Sequence, residues 1–230
     1  MADRTDVDGL KRAVAAAAAE RVQSGMVVGL GSGSTAALVV ERLAARVREG
    51  LSIVGIPTSE RTAAAARAGG IPLGDFATHP EIDLTIDGAD RVERGTLNLV
   101  KGRGGALLRE KIVADASKRL LIVVDASKVA DRLDIPVPVE VVPFGLEATA
   151  RKIGRLGGRT ARRRGADGLP FVTDGGNAIL DCDFGPIGDP AALELRLRAL
   201  VGVIETGLFV RRAAEVLVAE AAGVRSLLPG

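Results

Sequence analysis

Met26-Val-Val-Gly-Leu-Gly-Ser-Gly-Ser-Thr-Ala-Ala-Leu-Val-Val40 contains the unit that decides the fold. Met26 to Leu30 is a short apolar run suited to a strand, and Gly31 to Thr35 is a flexible polar turn. From Ala36 to Arg48 apolar residues recur at helical spacing through Leu38, Val39, Leu43 and Val47. Working outward, Leu10 to Gln23 reads as an alanine-rich helix closed by Ser24-Gly25, and Ile53 to Ile56 as a second strand. Pro57-Thr58-Ser59 then introduces a helix to Ala68. Leu84 to Ile86 and Leu120 to Val124 are continuous apolar runs of the kind buried on both faces of a parallel sheet. Strands alternating with helices predict an α/β protein with a Rossmann-like, doubly wound parallel sheet.

From about Asp131 the texture changes. Pro136, Pro138 and Pro143 interrupt short β-branched runs, and Asp174-Gly-Gly-Asn177 reads as a hairpin turn between Phe171–Thr173 and Ala178–Asp181. With helices expected at Leu146 to Leu156 and Pro190 to Leu200, residues 131–205 read as a smaller α+β subdomain. Residues 1–130 and 206–230 then form the larger domain, to which Leu208 to Glu220 returns.

The composition narrows the function. With 230 residues, 47% of them hydrophobic, the chain can bury a substantial core. Lys and Arg number 31 against 29 Asp and Glu, so no broad cationic field is available for nucleic acid. Aromatics make up only 2%, with no Trp or Tyr, so the stacking platforms of single-strand binders are missing as well. Arg162-Arg163-Arg164 reads as a solvated edge or turn. A single cysteine, Cys182, excludes an internal disulfide and suits a reducing cytoplasm, as a small core residue. One histidine, His79, and one cysteine cannot build the familiar zinc sites, and nothing in the carboxylate spacing demands magnesium. No metal and no cofactor are expected. The charged N-terminus disqualifies Ala15 to Ala19 as a secretory core, and no apolar run reaches membrane-spanning length.

Three segments carry chemistry. Gly31-Ser32-Gly33-Ser34-Thr35 fits a phosphate cradle, because glycines let backbone N–H groups approach an anion at a helix N-terminus; as a glycine pattern it equally fits a tight turn. The loop carries no lysine in the nucleoside-triphosphate position. Asp87-Gly88-Ala89-Asp90 follows an apolar strand, where open α/β sheets place ligand contacts, although either aspartate could instead cap a turn. Lys101-Gly-Arg-Gly-Gly-Ala-Leu-Leu-Arg-Glu110 joins an ammonium, a glycine turn and a carboxylate on the helix that follows. Ala106 and Ala114 flank Glu110 at one helical turn and leave room for a ligand. In such an apolar helix, partial burial raises the pKa of Glu110 towards the operating pH of a proton acceptor.

As an ordered set these segments resemble the ribose-5-phosphate isomerase A family. The resemblance includes Val-Asp-Ala-Ser-Lys at 124 to 128, Pro-Val-Glu-Val-Val-Pro at 138 to 143, Thr-Asp-Gly-Gly-Asn at 173 to 177 and Gly-Leu-Phe at 207 to 209. It implies metal-free interconversion of ribose 5-phosphate and ribulose 5-phosphate in the non-oxidative pentose phosphate pathway. The proton-transfer base falls on Glu110, and the substrate loops on Ser32, Gly33, Ser34 and Thr35, on Asp87, Gly88, Ala89 and Asp90, and on Lys101, Gly102, Arg103 and Gly104. Lys128 matches a further substrate-binding lysine, and Lys11 is a weaker candidate for the phosphate. In this reading Lys101 and the N–H groups of Gly102 to Gly105 face a developing oxyanion, Asp87 assists ring opening and Asp90 orients hydroxyls, two roles open to exchange. Arg91 stands where the family often has Glu, and the turn to Lys101 is one residue longer than in some relatives. A homodimer or homotetramer is implied, with the smaller subdomain at the interface. The competing readings are another sugar-phosphate isomerase or deaminase on this scaffold, and a non-catalytic sugar-phosphate sensor.

Overall fold

The computed structural model describes residues 4–230, with side chains from Val7 onward; the first three residues of the expected 1–130 domain lie outside it. Along the chain run α1 (Arg4–Ala19), β1 (Val27–Leu30), α2 (Ser34–Arg48), β2 (Val54–Pro57), α3 (Glu60–Ala68) and β3 (Leu84–Gly88). Two short strands, β4 (Arg91–Glu93) and β5 (Leu99–Val100), precede α4 (Leu107–Asp115) and β6 (Leu120–Asp125). A single 3₁₀ turn at Ala126–Lys128 leads into β7 (Val129–Ala130), β8 (Val137–Val141), α5 (Leu146–Arg155), β9 (Arg159–Arg162) and β10 (Ala178–Asp183). The chain ends through α6 (Pro190–Arg198), β11 (Val203–Thr206), β12 (Leu208–Phe209), β13 (Glu215–Glu220) and β14 (Gly223–Leu227).

Six strands form the main sheet in the order β14-β13-β6-β3-β1-β2, all parallel except the β13–β14 edge pair. All six residues of β6 are buried, as a strand covered on both faces requires. From β1 the chain crosses to β2 on one side and then to β3 on the other, so the order reverses between β1 and β3. Open α/β sheets bind ligands outside the carboxyl ends of the strands at this switch point. The Gly31–Thr35 and Asp87–Asp90 segments both leave the sheet there. A second sheet, β11-β8-β10-β9, is antiparallel and packs α5 and α6 around Leu133, Val139, Ile153, Leu180 and Leu197. A small third sheet, β12-β5-β4-β7, is drawn from four separate short segments and carries Lys101 immediately after β5. Among the described residues no helix is long and apolar enough to cross a membrane.

Two expectations need correction. Instead of spanning Leu10 to Gln23, α1 covers Arg4–Ala19. Beyond it, Arg21 and Val22 donate to the carbonyls of Ala18 and Ala19 at 3.0 and 3.1 Å, tightening the end of the helix as Val22 turns into the core. The expected hairpin forms only its turn, with Thr173 N–H donating to Asn177 C=O at 2.9 Å. The hairpin partner of β10 is β9, not Phe171–Thr173. An Arg-Thr-Ala-Arg edge strand is largely solvated and carries no apolar alternation to announce it.

Candidate active site

The site is assembled where β1, β3 and β6 end. Gly31 packs against Asp87 so closely that a Cβ would collide with the carboxyl group, which explains glycine at that position. The approach lets Ser32 N–H donate to Asp87 Oδ1 at 3.1 Å, beside Gly88 N–H at 2.7 Å. Gly33 is the residue before α2, and the N–H groups of Ser34 and Thr35 begin that helix without earlier carbonyl partners in it. They offer the donors and the dipole that attract an anion.

Lys101 is the hub. Its backbone N–H is fixed by Gly207 C=O at 2.8 Å, and its side chain is 3% exposed. The ammonium lies 2.9 Å from Asp87 Oδ2 and 3.3 Å from Glu110 Oε2, donates to Gly88 C=O at 2.6 Å, and stands 5.4 Å from the centroid of the buried Phe209 ring. Glu110 projects from the buried face of α4, and its Oε2 is in ion-pair range of Lys101 but off hydrogen-bond geometry.

The electrostatics separate the two carboxyl groups. Burial pushes Glu110 up to about 8, with the Asp87 charge adding to the rise and Lys101 opposing it. Burial also pushes Asp87 upward, opposed by Lys101 and by the N–H groups of Gly88 and Ser32. The Lys101 ammonium, against the desolvation that favours its neutral form, is held charged by Asp87 and Glu110. One cation balances one anion here, and Asp87 has the donors. Asp87 thus has partners that favour its charged form, whereas Glu110 Oε2 has none in hydrogen-bond geometry.

These groups open onto a cavity of about 430 Å³. Ser32 to Thr35, Gly88 to Asp90, Lys101 to Gly104, Glu110 and Lys128 all border it. Asp87 lies behind Lys101 at 1% exposure. Ser32 contributes through its backbone, because its hydroxyl is engaged with Thr58 at 2.8 Å, Ser59 at 2.8 Å and Thr62 at 3.2 Å. Among the described residues the hydroxyls of Ser34 and Thr35 have no such engagement. Asp90 accepts from Arg103 N–H at 2.9 Å, and Gly105 N–H closes the turn on Gly102 C=O at 3.0 Å. The N–H groups of Gly102 and Gly104 remain as free donors among the described residues.

The model for ribose 5-phosphate isomerase A (phosphoriboisomerase A) matches residues 54–223. The chain belongs to the ribose 5-phosphate isomerase A family. It is similar to the ribose-5-phosphate isomerase A of Gloeobacter violaceus, at 57% identity over 97% of this chain and 98% of the relative. It is also similar to that of Gluconobacter oxydans, at 54% identity over 98% and 99%. The solved ribose 5-phosphate isomerase A of Methanocaldococcus jannaschii superposes with a TM-score of 0.92 at 39% identity, covering 96% of this chain and 99% of that one. A solved D-ribose-5-phosphate isomerase in complex with phospho-erythronic acid superposes with a TM-score of 0.93 at 36% identity, over 96% and 99%.

Lys11, the weaker phosphate candidate, reaches the cavity from α1. Within this isomerase A fold the cavity also has walls to which sequence reading gave no role: Asp125 and Ser127 beside Lys128, and Val7 of α1. Asp125 ends β6 as Asp87 belongs to the end of β3, and it accepts from Ser127 N–H at 3.0 Å, capping the 3₁₀ turn that presents Lys128. Its position at a strand end was the available signal. Cys182 is buried at a distance in the chain from every loop of the cavity, its thiol pushed up to about 12 by burial and by neighbouring Asp181.

Proposed function

We propose that the protein interconverts D-ribose 5-phosphate and D-ribulose 5-phosphate by proton transfer through an enediolate, with Glu110 as the base. One observation carries this reading: Glu110 is a buried, cavity-facing carboxyl group raised to about 8, with the Lys101 ammonium 3.3 Å away. A base with a pKa near the operating pH both takes and returns a proton.

With the phosphate at Ser34, Thr35 and Lys128, and Lys11 as a further cation, the chain of an opened sugar extends towards Lys101. Ionised Glu110 removes the C2 proton, the C1–C2 double bond forms and the carbonyl electrons move to O1. Lys101 and the free N–H groups of Gly102 and Gly104 stabilise that oxygen, an effect worth about 3 kcal/mol for one well-placed donor. Glu110 returns its proton to C1, while a proton passes from O2 to O1 and C2 becomes the ketone. Asp90 borders the cavity, which supports it as the contact for sugar hydroxyls. Asp87, beside Lys101, is assigned the proton movement of ring opening. A phosphorylated aldonic acid such as phospho-erythronic acid has a planar carboxylate resembling an enediolate and is expected to compete with substrate.

The balanced charge of 31 basic and 29 acidic residues supports a small-molecule substrate over nucleic acid, and a lone cysteine supports a reducing cytoplasm. The division into residues 1–130 with 206–230, and 131–205, is supported by the separate apolar clusters under the parallel and antiparallel sheets. The deciding assay mixes EDTA-treated protein with ribose 5-phosphate and follows ribulose 5-phosphate; absence of conversion overturns the reading.

A further inference from the structure

Arg163 belongs to the arginine run expected at a solvated edge, and its neighbours Arg162 and Arg164 are exposed. Arg163 itself is not: its side chain is 11% exposed and reaches across to the catalytic loop. Nη1 donates to the carbonyls of Gly102 at 2.6 Å and Arg103 at 3.0 Å. The rest of the guanidinium is gripped by Asp181 of β10, through Nε to Oδ2 at 3.0 Å and through Nη2 to Oδ1. A planar fork held in two places by a carboxylate has no freedom to follow a moving loop. Phe171, whose N–H bonds Arg163 C=O at 3.0 Å, lays its ring where a Cβ on Gly105 would stand. Two neighbouring side chains of the antiparallel half thus clasp both ends of the Gly102–Gly105 turn.

We propose that Arg163 is a positioning residue for the reaction, aiming the backbone donors and the ammonium of the Lys101 loop by fixing two of its carbonyl groups. A trans peptide carries its C=O and N–H on opposite sides, so holding Gly102 C=O sets the direction of Arg103 N–H, and holding Arg103 C=O sets that of Gly104 N–H. Arg103 N–H is accordingly delivered to Asp90 at 2.9 Å, and Gly104, whose N–H has no partner among the described residues, stands at the cavity wall. Arg163 does not itself line the cavity that holds Glu110; it meets that cavity through the Gly102 and Arg103 carbonyls of the loop. The phosphate loop at Ser34 and Thr35 hangs on a different strand. Loss of the guanidinium therefore strikes transition-state stabilisation more than substrate capture.

This inference rests on the isomerase reading, and the experiment separates the two. In Arg163→Met, kcat for ribose 5-phosphate is expected to fall by about 30- to 100-fold with KM within about threefold of wild type, since misplacement on the order of 1 Å costs about 100-fold. Arg163→Lys, which offers one point charge in place of a fork, is expected to fall between the two. In the ligand-free proteins, amide hydrogen exchange across residues 101–106 is expected to quicken in Arg163→Met. An unchanged kcat, or a lower kcat with unchanged loop exchange, overturns the proposal. If Arg163→Met does not fold, the same two readouts on Arg163→Lys decide it. If wild type converts no ribose 5-phosphate, the isomerase reading fails, and loop exchange still determines whether Arg163 holds the loop.

Discussion

Glu110 is the base in the proposed mechanism, and that reading with its surroundings predicts two measurable behaviours. Glu110→Gln keeps size and polarity but cannot accept a proton, so kcat is expected to fall by at least about 100- to 10,000-fold. Binding of phospho-erythronic acid, measured calorimetrically, should stay detectable; full turnover in the variant would assign the base elsewhere. The second behaviour is pH dependence. Free enzyme needs ionised Glu110, so kcat/KM should rise about tenfold per pH unit up to about 8, above the second ionisation of a phosphate ester near about 6. Stability moves the other way. A carboxyl raised from 4.5 to about 8 on folding binds more protons native than unfolded, so its contribution is complete below 4.5 and lost as pH rises through 8. Glu110→Gln should therefore raise Tm relative to wild type more at pH 8.5 than at pH 5, and equal differences would refute the buried-carboxyl assignment. The residue type and spacing of Lys101 and Glu110 pointed to this pair before any coordinates. The guanidinium of Arg163 did not show itself, because its value comes from chain reversals that bring residue 163 to residue 102, and no local pattern encodes that meeting.

At the scale of the element, hydroxyls in one loop divide between holding the fold and holding the ligand. Ser32→Ala removes a hydroxyl shared by Thr58, Ser59 and Thr62, and is expected to cost about 1–3 kcal/mol in denaturant unfolding with little change in KM. Thr35→Ala, whose hydroxyl has no partner among the described residues, should do the reverse, raising KM several-fold at unchanged stability. If the two variants exchanged behaviours, the backbone role given to Ser32 would be wrong. Helix α4 shows a related division: beside Glu110 it buries Lys111, which donates to Glu194 at 2.8 Å, Glu205 at 2.9 Å and Leu208 C=O at 2.7 Å. Those partners lie on α6, β11 and β12, so Lys111 binds the catalytic helix to the antiparallel half. The long elements were legible because apolar period and glycine turns agree over many residues, as in β1 and α2. Strands β4, β5, β7 and β12 have only two or three residues, too few for any period, and exist because neighbouring chain pairs with them. Edge strand β9 shows the same dependence, with Arg159 and Arg162 on a solvated ribbon that only its register with β10 makes a strand.

Across the whole molecule the parallel sheet holds the Gly31–Thr35 and Asp87–Asp90 loops, and the antiparallel half braces the Lys101–Gly105 loop and exposes apolar surface. Phe144 is 93% exposed and Val201 is 82% exposed. They flank one end of the β8–β11 pair, where Val142 N–H donates to Gly202 C=O at 2.9 Å. Leu195, 68% exposed, stands on α6, which packs against β11. Contiguous exposed apolar surface marks contact sites, and Phe144 and Val201 are brought near one another by the Val142–Gly202 bond. The homodimer or homotetramer expected from the resemblance would use this face of the smaller subdomain, where β11 is the sheet edge. Phe144→Glu combined with Val201→Glu places like charges on facing copies of a symmetric contact. Light scattering at micromolar protein should then find wild type at two or four times the chain mass and the double variant as a monomer. Each monomer retains its own Glu110, Lys101 and phosphate loop, so ribose 5-phosphate turnover per chain should persist to the extent that Arg163 and Phe171 still hold the loop. A wild-type monomer, or a variant of undiminished mass, would remove these two residues from the interface.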